Sequence, residues 1–198
     1  GDVNEALKLH QDELNVYEAL GDRRAAAVTL GDIANIKKRK GDVNEALQLH
    51  QKQLKTFEAL GDRREMAITR GDIARIKTDQ GDVNEALKLH QDELNVYEEL
   101  ADINSKAVTL WDIARIELQR QEHESALQHL VEAYQINQHI GRLDGICMVG
   151  IDLGQLLCAG GHKDKGLEIL EVSRQGFVKL QQPRLAQQVA QLIEQWQQ

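Results

Sequence analysis

GDVNEALKLH begins at Gly1, GDVNEALQLH at Gly41, and GDVNEALKLH again at Gly81. The interval is 40 residues each time, and it decides the fold. Residues 1–40 and 81–120 agree at 28 of 40 positions, and 1–40 and 41–80 at 26. The period continues in weaker form, with QEHESAL from Gln121 and GHKDKGL from Gly161, and no insertion interrupts it. Self-similarity at a fixed period of this length marks stacked supersecondary units. The units are 1–40, 41–80, 81–120, 121–160 and 161–198.

Each unit holds two helical patterns. From about Val43 to Leu60, Val43, Ala46, Leu47, Leu49, Leu54, Phe57 and Leu60 recur mostly three or four apart, which places them on one helical face. Gly61-Asp62 breaks the pattern. A second helix is predicted from about Arg63 to Asp79, with Met66, Ala67, Ile68, Ile73, Ala74 and Ile76 on its apolar side. Gly81-Asp82 then opens the next unit. Glycine closes a helix in the left-handed conformation, and the following Asp caps the next one. Asp42 with Glu45, Asp62 with Glu65 and Asp82 with Glu85 have capping-box spacing. Gln121 lacks both turn residues, so its junction is expected to be the weakest. Pro183 suits the first turn of a last helix, expected over about 183–197.

A hairpin of this kind cannot bury its apolar side alone, so successive hairpins stack. The expectation is an all-α chain of about ten helices, a right-handed α-solenoid of helix-turn-helix repeats, with more than about three quarters of its residues helical.

Composition sets limits on function. A chain 41% hydrophobic and 28% charged folds as a soluble protein. A net charge of −8 argues against a phosphate backbone or an anionic membrane surface as partner. The most apolar stretch, Gly145 to Gly161, contains Asp152 and is too short to span a bilayer. Cys147 and Cys158 would lie about 16 Å apart on one helix, too far for a disulfide. Reduced core thiols fit an intracellular, cytoplasmic location. No signal peptide is visible at the start.

GDVNEALQLHQKQL, preceded by IANIKKRK, resembles the tetratricopeptide repeat. That family has a Gly-Asp turn and small residues where two helices approach. Ala6, Ala46, Ala86 and Ala126 match one small position; Ala34, Ala74, Ala114 and Gly154 match the other. The common unit has 34 residues, whereas this one has 40 and lacks the usual proline. It looks like the longer version found in kinesin light chains and bacterial sensor arrays. By that alignment the chain starts in mid-unit, which leaves an apolar face on residues 3–20. A fragment of a longer protein is expected, or an end that pairs with another copy.

The resemblance also implies that the first helix of each unit lines an inner, concave surface. Asp32, Asp72, Asp112 and Asp152 then form a column, with Asn35, Arg75, Arg115 and Gln155 one turn on. Two readings stay open: a polar ladder for an extended peptide or partner helix, or pairs within repeats, with Asp72–Arg75 and Asp112–Arg115 at i,i+3. Trp111 replaces the Gly31 and Gly71 of earlier units. It is either a binding anchor or a residue packed on a neighbouring helix. Acids stand where the family's carboxylate-binding groove has amides, which argues against a chain-terminal acidic ligand. His10, His50 and His90 recur at the full period. Stacked helices hold equivalent residues about 8–10 Å apart, so the histidines read as packing residues with a satisfied N–H.

No P-loop or nucleophile elbow is present, and no catalytic residue, metal site or cofactor is assigned. The expected function is non-catalytic: a scaffold or sensor array that binds a peptide or partner protein, as part of an intracellular signalling protein. The alternative is a structural array that self-associates head to tail through its N-terminal end.

Overall fold

The computed structural model describes residues 3–197. Among them ten α-helices follow one another and no strand occurs: α1 (Val3–Leu20), α2 (Arg23–Lys40), α3 (Val43–Leu60), α4 (Arg63–Asp79), α5 (Val83–Glu99), α6 (Ile103–Gln119), α7 (His123–His139), α8 (Leu143–Ala159), α9 (Lys163–Lys179) and α10 (Pro183–Gln197). The expected turn at Gly1-Asp2 lies outside the described residues. Most helices have 17 or 18 residues, so the length beyond the common unit lies in the helices and not in a turn.

The chain divides into two compact units, Gly1–Tyr97 and Glu98–Gln198. In the first, α2 packs on α1 and more extensively on α3, which meets α4. In the second, α6 packs on α7, α7 on α8, α8 most extensively on α9, and α9 on α10. Each unit is a stack of helix-turn-helix repeats, the α-solenoid arrangement.

The turns explain why the period survives sequence drift. Gly61 has φ +67°; its amide bonds to the Glu58 carbonyl at 3.2 Å and the Asp62 amide to that of Phe57 at 3.1 Å. Ala101, Gln121 and Gln181 adopt the same left-handed conformation, at φ 52°, 61° and 56°. At Gln121 the two carbonyl bonds recur at 3.1 and 2.9 Å. The turn is therefore kept at a cost of about 1 kcal/mol for a side chain in that region.

Asp side chains cap several of the helix starts. Asp22, Asp62 and Asp102 accept from the amides of Ala25, Glu65 and Ser105 at 3.0, 3.2 and 3.0 Å. Asp42 makes no such bond, which corrects the capping box expected with Glu45. Lys37 instead reaches both acids, at 3.7 Å from Asp42 and 2.9 Å from Glu45.

Small residues sit where helices approach. Ala34, Ala46, Ala74, Ala86, Ala114 and Ala126 are fully buried. A Cβ on Gly154 would stand 2.9 Å from the Gly166 carbonyl oxygen, so α8 and α9 approach as closely as they do only without one. At the C-terminal end, α10 buries Ala186 and Val189, with Leu192, Ile193 and Trp196 half-buried. In contrast, α1 buries only Leu14 and leaves Leu9, Val16 and Leu20 more than half exposed. Cys147 and Cys158 are free and buried. Burial pushes the Cys147 thiol up to about 11 and raises Cys158, so both stay protonated. Among the described residues no helix is long and apolar enough to cross a membrane.

Candidate functional site

The even-numbered helices carry every residue of the expected polar column. In the first unit, Asp32 and Asn35 are exposed on α2. On α4, Arg75 Nη1 donates to Asp72 Oδ1 at 3.0 Å. This is the i,i+3 pair within a repeat, and it ties Asp72 to its own helix.

The second unit is arranged differently. Trp111 on α6 donates its indole N–H to Asp152 Oδ2 on α8 at 2.6 Å. The Arg115 guanidinium lies over the same ring, 5.5 Å from its centroid, within cation–π range. Spacing sets Asp112 and Arg115 at i,i+3 on α6, and the contact described for Arg115 is this one with the ring. At the position of Trp111, α4 has Gly71. Burial raises the Asp152 carboxyl, while the Trp111 bond and the Arg115 charge oppose that rise. Gln155 Nε2 donates to the Ile151 carbonyl at 3.3 Å. Trp111 is half-buried and held on two sides: its indole reaches across to α8, and part of the ring stays exposed.

Trp111 also walls a pocket of about 70 Å³ with Val108, Asn137, Gly145 and Met148. Arg142 and Asp144, hydrogen-bonded to each other, close its far rim. The sequence reading did not single out Val108 or Met148. They occupy the same repeat position as Val28 and Ile68, an apolar column one turn before the Asp column, and that recurrence was the available signal.

A second feature escaped that reading. Gln53 and Glu93 are buried, and a Cβ on Gly31 or Gly71 would stand 2.4 Å from the Gln53 or Glu93 side chain. The glycines leave room for these long polar groups. His50 Nδ1 meets Gln53 Oε1 at 2.9 Å, and His90 Nδ1 meets Glu93 Oε2 at 2.8 Å. The histidines are thus packing residues bonded through Nδ1, although His50 Nε2 is buried without a partner. Where Trp111 replaces glycine, the position 22 residues on is Ala133. Large and small exchange places across each hairpin. Among the described residues no three His, Cys, Asp or Glu side chains are grouped as a metal ion requires.

A family model for the tetratricopeptide repeat matches residues 25–99 and 65–139. No curated protein matches the chain. Among solved structures, BtubC (BKLC) from P. vanneervenii is similar in fold, with a TM-score of 0.74 at 16% identity over 100% of this chain and 91% of that one. The nearly identical TPR-like repeats of a Podospora anserina putative kinesin light chain give 0.66 at 18% identity, over 90% and 89%. A Rap conjugation gene regulator of plasmid pLS20, solved with a Phr peptide, gives 0.77 at 11% identity, over 96% of this chain and 58% of that one.

Proposed function

Because the chain belongs to the tetratricopeptide repeat family, we propose that it is a non-catalytic interaction module, holding a peptide or partner protein on the exposed faces of its even-numbered helices. One observation carries this reading. Trp111 is half-exposed yet held by Asp152 and Arg115, an aromatic fixed in place before any partner arrives. A rigid aromatic beside an arginine is the composition of binding hot spots, and preorganisation lowers the entropy cost of association. In the first unit Asp32, Asn35, Asp72 and Arg75 supply the polar counterpart; in the second Asp112, Gln155 and Asp152 flank Trp111. The likeness in fold to a regulator solved with a peptide supports a peptide or an extended segment as ligand. A cytoplasmic, signalling setting within a larger protein fits this reading.

The test uses immobilised protein and lysate of the source cell, with Trp111→Ala and Arg75→Ala variants alongside. At least one partner is expected to be lost from each variant. A set of partners identical for all three proteins would remove these residues from the binding surface.

The exposed apolar side of α1, with Leu9 63%, Val16 55% and Leu20 73% accessible, favours a second reading: copies associate through that face. Sedimentation equilibrium separates the two, since a monomer at every concentration rules out self-association.

A further inference from the structure

We propose that the Trp111 face of the second unit reads an extended segment carrying a branched aliphatic side chain and, two residues from it, an acidic side chain. The proposal rests on the interaction-module reading and specifies its ligand. The pocket between Val108, Gly145 and Met148 holds about 70 Å³. On this measure one water needs about 10–15 Å³, so the space admits a group of several atoms, such as a small branched aliphatic side chain. Its walls are apolar apart from the Asn137 floor and the Arg142–Asp144 rim.

Charge chooses the second feature. Arg142 is engaged by Asp144 and donates to Asn104 Oδ1 at 2.6 Å. Asp152 already accepts from Trp111. Arg115 is exposed, contacts the Trp111 ring and acts on Asp152 by charge alone, with no hydrogen bond described between them. A guanidinium in cation–π contact keeps N–H donors with which to meet a carboxylate. Geometry sets the spacing. The pocket lies between residues 108 and 111 of α6, so Arg115 is about five residues, or roughly 8 Å, further along the axis. In an extended segment, same-side residues i and i+2 are about 7 Å apart. The side-chain amides of Asn104 and Gln155 offer polar partners for the backbone of that segment.

The test pans a phage library of random nonapeptides against the full chain and its Arg115→Glu variant. Wild type is expected to enrich an aliphatic residue followed or preceded at two positions by Asp or Glu. The variant is expected to exchange the acid for Lys or Arg, a swap that loss of folding cannot produce. In capped synthetic nonapeptides, Glu→Gln and Val→Ala should each weaken binding about tenfold. Val108→Phe, which fills the pocket, should abolish the preference for Val over Ala. Enriched peptides that lack this spacing, or that keep it unchanged with Arg115→Glu, overturn the inference alone. No enrichment above an unfolded control overturns the interaction-module reading as well.

Discussion

Residues 3–18 of α1 and 83–98 of α5 are the same sixteen amino acids, and they live in different surroundings. Val16 is 55% exposed and Val96 8%. The His10–Glu13 pair has side chains 33% and 42% accessible; His90–Glu93 has 1% and 3%. The bond is the same, at 3.0 and 2.8 Å. The difference comes from α4, whose Gly71 sits over Glu93 and whose Ala67 and Ile68 pack with Val96 and Tyr97. Among the described residues no helix stands against α1 in that way. Helix formation is therefore local to the sequence, whereas the energetic weight of each side chain is set by the neighbouring repeat.

Twin substitutions can break this comparison. His90→Ala strands a buried carboxyl and should cost about 3 kcal/mol, whereas His10→Ala should change stability by less than about 0.5 kcal/mol. Urea denaturation of each variant decides it, and equal losses would refute the role given to α4. Val96→Ala should cost about 2 kcal/mol from two lost methyl groups and their cavity. Val16→Ala should be neutral or slightly favourable, because Ala is the better helix former. Gly71→Ala sharpens the point. An interior glycine normally gains about 1 kcal/mol on this change; here the new Cβ meets Glu93, and a loss of about 1 kcal/mol is expected. Adding Glu93→Ala should turn the loss into a gain, read as a non-additive double-mutant cycle. The smallest effect concerns turns. Gln121→Gly should raise stability by about 1 kcal/mol, by relieving the side chain held at φ 61°. An unchanged melting temperature would contradict the turn account.

The fold was legible because its determinants repeat. The Gly-Asp turns and the apolar spacing placed α3 at 43–60 and α4 at 63–79, where the structure has them. The turns at Ala101 and Gln121 persist because hairpin packing outweighs the local preference for glycine. Less of the candidate site could be read. Asp72–Arg75 lies within one helical turn, so spacing found it. Trp111–Asp152 joins residues 41 apart in neighbouring repeats, where no helical periodicity reports contact. The reciprocal sizes at Gly31 and Gln53, Gly71 and Glu93, and Trp111 and Ala133 were visible in the letters. They acquire meaning only once α2 is known to face α3.

That shared volume has a consequence for exchanging pieces of this chain. The repeat that the eye picks out starts at Gly41 or Gly81, and a cut there separates Gly31 from Gln53 and Gly71 from Glu93. A cassette cut at Gly21 and Gly61 keeps each interlocked couple in one segment. Swaps made in that frame should transfer whole, and swaps made in the apparent frame should set tryptophan against glutamate.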